Sequence, residues 1–213
     1  AKLTVCGAAA TLTAVAVLLL ELGMLRSQEI WEQLRLSSLG SFVVAGLAVA
    51  TAAQGLGDSS LYVLAAVTVA LKGLTFPLGI RYVLRNLEID PRVPSVVGVP
   101  TAILLAIVLS GFSFIALHNV HIGGVAALPL SALPVAVAGV LVALLLMVLR
   151  PHAPSQLLGF LVLENAVSVG SLVIAPGLPL ILALLLLFDV LVGVLVFVVL
   201  VQYLAVQKTA VRT

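Results

Sequence analysis

The sequence predicts an all-α, polytopic membrane protein of seven transmembrane helices, and three observations carry that prediction. The 213 residues are 63% apolar and only 8% charged, with a mean hydropathy of +1.35, whereas soluble domains are roughly 45–50% apolar and about 25% charged. The apolar residues come in runs close to the roughly 20 residues of helix that cross a hydrocarbon core about 30 Å thick. Those runs are apolar at every position, and a membrane β-barrel would alternate.

The first run, Leu3–Leu25, is too long for the h-region of a signal peptide and lacks a small-residue cleavage site, so it reads as a retained helix. Polar or Pro/Gly punctuation then sets off Leu36–Ala53, Ser60–Val83, Val96–Leu117, Leu130–Leu149, Leu157–Ala175 and Leu178–Leu204. The breaks fall at Gly57-Asp58-Ser59, Pro91-Arg92-Val93-Pro94, Arg150-Pro151-His152-Ala153-Pro154 and Pro176-Gly177, where proline removes a donor and glycine tolerates a turn. Pro129 and Pro134 leave the start of the fifth span ambiguous. Arg26, Arg35, Arg81, Arg85, Arg92, Arg150, Lys208 and Arg212 flank one side and only Lys2 the other. Positive flanks stay cytoplasmic, so the N-terminus is expected outside and the C-terminus inside.

Composition also excludes function classes. Ten basic against eight acidic residues, mostly in short loops, form no face that could follow a phosphate backbone, so nucleic acid is not an expected partner. The single cysteine, Cys6, makes neither an internal disulfide nor a CxxC site. His118, His121 and His152 form no HxxxH or HExxH spacing, so no metal site is expected in this chain. GxSxG, Walker-A and dinucleotide signatures are missing, so neither a complete catalytic site nor a bound cofactor is expected.

Three ionisable residues lie too deep to be flanks: Lys72 in the third span, Glu164 in the sixth and Asp189 in the seventh. At 1.5 Å per residue each is roughly 10–18 Å into its helix. A charge there costs about 2.5–3.5 kcal/mol on insertion scales, so such groups face the bundle interior and often mark proton or ion routes. The alternative is a purely structural tie between helices. Asn165 and Ser168 offer polar support on the helix of Glu164. Pro77, five residues after Lys72, disturbs the helical ladder and is expected either to open a wet pocket or to be merely structural. Glu21, five residues before Arg26, reads as an interfacial charge, with membership of a proton entry path as the alternative. Trp31 and Tyr82 read as interface anchors, and Gly159, Gly170 and Gly193 as close-packing positions.

The stretch ALKGLTFPLGIRYVLRN, from Ala70 to Asn86, resembles the lysine-bearing third-helix segment of the hydrogenase-4 component E family. LLGFLVLENAVSVGSL, from Leu157 to Leu172, is similar to that family's G-[FY]-x-x-x-E-N segment, and LLFDVLVGVLV around Asp189 follows in the same order. The last three helices also look like the K-type subunit of respiratory complex I, whose second and third helices each carry a buried acid on the proton route. By that resemblance Glu164 takes the place of the first acid and Asp189 of the second, one methylene shorter. The resemblance implies a three-helix bundle over 1–95 with Lys72, a connecting helix and loop over 96–125, and a K-type bundle over 126–213. It implies lateral proton relay through Glu164, Asp189 and Lys72 in a prokaryotic plasma membrane. Implied partners are antiporter-like subunits, an H-like membrane anchor and a peripheral hydrogenase or related redox module, with nickel–iron and iron–sulfur centres in those partners. A structural anchor of such a complex and a stand-alone small-solute transporter remain open, although no inverted repeat is found.

Overall fold

The computed structural model describes residues 2–55, 59–79, 81, 95–118, 131–150 and 153–174, with single positions at 191, 193 and 202. Regular structure among the described residues is helical. Among the described residues six helices are long and apolar enough to cross a membrane: α1 (Lys2–Arg26), α2 (Ile30–Ala53), α3 (Ser60–Gly79), α4 (Val99–Leu117), α5 (Ala132–Leu149) and α6 (Ala153–Ile174). The expected seventh span, with Asp189, lies outside the described residues except at positions 191, 193 and 202.

Several ends differ from the sequence expectation, each for a local reason. Helix α2 begins at Ile30, six residues before Leu36, because the link from α1 is only a short turn. The buried Gln33 side chain donates to the Ser27 carbonyl at 3.0 Å, and the Glu29 N–H donates to Ser27 Oγ at 3.3 Å. Arg35 is therefore on a helix and not in a loop. At the other end α2 stops at Gly55, where φ is +73° and the N–H donates to the Ala52 carbonyl; glycine reaches that left-handed conformation without a Cβ penalty. Pro134 falls in the first turn of α5, where its missing N–H is no loss, and this resolves the start of that helix. Helix α6 begins four residues before Leu157, with Pro154 likewise in its first turn.

Packing is by small residues. Helices α5 and α6 meet along Gly139, Ala143 and Gly159: a Cβ on Gly159 would stand 2.5 Å from Met147 Cγ, and one on Gly139 would stand 3.1 Å from Ala166 Cβ. Close approach of this kind replaces the hydrophobic drive that lipid cannot supply. Helix α1 lies against both α2 and α5, and α2 against α6. Helix α6 is the most enclosed of the six and α4 the least; Leu104, Ile107, Val108, Phe112 and Ile115 of α4 all face outward, as suits contact with acyl chains.

One polar tie pins the end of the bundle that carries the arginines. Arg150, expected as a loop charge, is instead 1% exposed. Its Nη2 donates to the carbonyls of Met24 (3.0 Å), Leu25 (3.0 Å) and Ser27 (2.6 Å). These are orphan acceptors at the end of α1, where a cation also suits the negative end of the helix dipole. Nearby, the Arg81 guanidinium, two residues past the end of α3, stacks 5.7 Å from the centroid of the Trp31 ring of α2. Charge-assisted hydrogen bonds are worth about 1.5–3 kcal/mol each when broken one-sidedly. Arg150→Met is therefore expected to destabilise the purified protein by about 2 kcal/mol or more, seen as a lowered thermal midpoint in detergent, while Arg26→Met, at the exposed end of α1, leaves it nearly unchanged.

Candidate functional site

Among the apolar side chains of the described interior runs a line of buried polar ones, and each is placed by its helix. Lys72 lies in a π-helical segment, Val69–Thr75, inside α3. Proline 77 has no N–H to continue the ladder, and the chain widens ahead of it: the Phe76 N–H donates to the Leu71 carbonyl five residues back, and Thr75 Oγ1 donates to the Ala70 carbonyl at 2.6 Å. Such wide turns recur at functional positions of transmembrane and soluble helices. The segment is held against α2 by Phe42, whose ring lies 3.1 Å from where a Gly73 Cβ would be. The groove beside Pro77 is lined by Trp31, Arg35, Leu39, Phe42 and Arg81, and Lys72 is not among its lining residues.

Lys72 Nζ meets Glu164 Oε1 of α6 at 2.9 Å, with the side chains 2% and 1% exposed. The pair joins residues 92 positions apart and is the one ion pair among the described residues. Two charges that would each be costly in hydrocarbon offset one another. Glu164 Oε2 is buried without a hydrogen-bond partner among the described residues, so this oxygen can still accept a proton or a water.

Asn165, the next residue, turns to α2. Its Nδ2 donates to Ser41 Oγ at 3.2 Å, or Ser41 Oγ donates to its Oδ1 at 3.4 Å. Ser41 Oγ also reaches the Ser37 carbonyl at 3.2 Å. Ser168, one turn after Glu164, is buried as well. Asp189 lies outside the described residues.

Two ionisable residues that the sequence places in a loop or at the interface are buried among the described residues. Arg150 is one. The other is Glu21, placed by sequence at the interface but 2% exposed in the bundle. Its Cα is near the end of α1, yet a helical Cα–Cβ bond tilts toward the N-terminus and carries the carboxyl deeper. There it faces Gly139, whose Cβ would lie 3.2 Å from Oε2, ten residues inside α5. Distance along the backbone places Glu21 near the helix end, whereas the side-chain tip lies further in. The missed signal was Gly139, a residue small enough to admit a carboxyl beside it.

No group of three or more His, Cys, Asp or Glu side chains that could hold a metal occurs among the described residues. The arrangement suits holding and passing a proton, since it brings together a carboxylate, an ammonium and neutral polar groups in a dry interior.

Comparison with known proteins adds one partial likeness. Over 67 residues the chain is 43% identical to the uncharacterized protein Rv0085 of Mycobacterium tuberculosis (strain ATCC 25618 / H37Rv), which covers 32% of this chain and 30% of that protein. The matched part thus spans under a third of the relative's length. No family model matches the chain, and no solved structure matches it.

The geometry makes a thermodynamic claim that a double-mutant cycle reads. Breaking a buried pair from one side costs about 3–5 kcal/mol because a charge is left behind. Lys72→Met and Glu164→Gln are each expected to destabilise the purified protein, Lys72→Met the more because it leaves a carboxylate. The double variant is expected to be more stable than the sum of the two predicts, by about 1 kcal/mol or more. Strict additivity in detergent unfolding would show that the two side chains are not coupled.

Proposed function

We propose that this chain is an integral-membrane subunit of a complex I-related, redox-driven proton- or sodium-translocating complex of the hydrogenase-4 type, and that it relays protons laterally through Lys72, Glu164 and Asp189. The observation that carries the reading is the buried Lys72–Glu164 pair at 2.9 Å on a π-helical turn. A bundle needs no such pair for stability, because apolar residues of the same volume pack at no greater cost. What the pair supplies is a carboxyl whose proton affinity follows the position of a nearby ammonium. Withdrawing Lys72 favours proton uptake at Glu164, and its return favours release.

In this reading the chain has seven spans with the N-terminus outside and the C-terminus cytoplasmic, and it sits in a prokaryotic plasma membrane. The arginine-rich end of the bundle, with Arg26, Arg81 and Arg150, then faces the cytoplasm, in keeping with the positive-inside bias. Asp189 of the seventh span is the next station after Glu164. The partners are antiporter-like subunits, an H-like anchor and a peripheral hydrogenase or related redox module that holds the nickel–iron and iron–sulfur centres. In this reading the chain carries no redox centre, and its part is the lateral relay of protons.

Glu164→Gln keeps volume and hydrogen-bonding reach but cannot take up and release a proton at that point. The assembled complex is expected to form with unchanged subunit composition and to lose proton uptake into sealed vesicles. Redox turnover falls with it where coupling is tight and persists where coupling is loose. Unchanged uptake and turnover in a complex of equal composition would instead make the chain a structural anchor.

A further inference from the structure

The groove beside Pro77 takes no part in the ion pair, and its walls differ from one end to the other. Trp31, Leu34, Arg35, Ser38, Leu39 and Phe42 line it from α2, at spacings of three and four that make one stripe of that helix. Pro77 and Arg81 line it from the side of α3. Arg81 meets Trp31 and Gly73 meets Phe42, so the two elements run antiparallel and both arginines sit toward one end of the groove. At 1.5 Å per residue Trp31 to Phe42 is a rise of about 16 Å, close to half of a hydrocarbon core about 30 Å thick. The groove is therefore one leaflet deep, with a volume of about 460 Å³.

Its chemistry is divided in the same way. Arg35 and Arg81 are exposed, and neither forms an ion pair among the described residues. Glu29 and Glu32 are exposed as well but do not line the groove. Arg81 lies over the Trp31 ring, a contact that uses the face of the guanidinium and leaves its in-plane N–H groups able to donate. The Ser38 hydroxyl is engaged with the Leu34 carbonyl at 2.8 Å. Past the arginines the wall is apolar, and Leu39 and Phe42 remain 51% and 43% exposed. Such walls fit an occupant that is anionic at one end and hydrocarbon along the rest. A free phosphate would leave the apolar length uncovered, and a zwitterionic lipid would bring its own cation up to two guanidinium groups. A helix of another protein would bury both arginines unpaired unless it carried acids to meet them.

We propose that this groove binds one anionic phospholipid from the leaflet on the arginine-bearing side. Arg35 and Arg81 hold its phosphate, and an acyl chain runs along Leu39, Phe42 and Pro77. Guanidinium groups grip a phosphate with parallel N–H bonds, and basic pockets between transmembrane helices take anionic headgroups. The site stands whether or not the chain relays protons.

Trp31 is the one tryptophan in the sequence, so its fluorescence reports on the groove alone. The purified full chain is reconstituted in mixed phosphatidylglycerol and phosphatidylcholine, with one or the other brominated near the headgroup end of its chains. Quenching is normalised to the same variant in unbrominated lipid, and variants are compared at equal helix content by circular dichroism. Wild type is expected to prefer phosphatidylglycerol by about tenfold or more, and Arg35→Gln and Arg81→Gln each to cut that preference about fivefold, the effect of one arginine at a membrane surface. Arg81→Lys, which keeps a cation beside Trp31, is expected to fall between. Arg26→Gln removes an exposed charge from the same end that does not line the groove, and is expected to keep the wild-type preference. Equal quenching by the two lipids in wild type would overturn the proposal. A loss in Arg26→Gln as large as in Arg35→Gln would also overturn it, because the preference would then belong to the surface charge as a whole. Quenching by neither lipid would assign the groove to a protein partner or a second copy and overturn it too.

Discussion

A lysine and a glutamate at mid-membrane depth cannot be left singly in hydrocarbon, and the bundle is arranged so that they are not. The Lys72–Glu164 contact at 2.9 Å requires α3 and α6 to approach at one register, and the surrounding helices follow from that requirement. Helix α2 lies beside both, with Phe42 on Gly73 of α3 and Ser41 on Asn165 of α6. The π-helical turn at Val69–Thr75 is part of the same constraint. It reconciles Pro77 with a continuous span and places the lysine on the inner face, while Leu74 and Leu78 face outward.

Away from the pair, the interior relies on two kinds of contact. Glycine and alanine let α5 and α6 close to backbone distance, so dispersion accumulates over many small contacts. Side chains of long reach tie helix ends instead. Arg150 gathers three carbonyls at the end of α1, and Gln33 fastens the start of α2 to Ser27. The first kind sets how near the helices lie, and the second sets where along their length they stop sliding. A relay needs both, because proton transfer depends on donor–acceptor distances of hydrogen-bond length and fails when either drifts.

The functional reading is chemical before it is familial. The likeness to Rv0085 extends over 67 residues and carries no activity with it. What favours a relay over an anchor is the quality of the buried groups: an ion pair with one carboxylate oxygen open, and a second carboxyl at Glu21 without a donor, among the described residues. A structural tie is most stable when every polar atom is satisfied, and open valences are what proton movement uses.

Composition and run length alone determined the class of this protein, because hydrocarbon admits only helices or closed barrels and these runs do not alternate. The depth of Lys72 and Glu164 was legible for the same reason, since a charge placed that far from either end cannot be a flank. Depth is a one-dimensional quantity, however, and contact is not. That Lys72 meets Glu164, that Asn165 turns to Ser41, and that Arg150 leaves its loop to cap α1 all depend on which helix faces which. Apolar runs without periodicity carry no such information, because every face of the helix looks alike. Glu21 marks the boundary most clearly. Its backbone position suggested the interface, but the tilt of its side chain and the absence of a Cβ at Gly139, on a different helix, decided that its carboxyl lies inside.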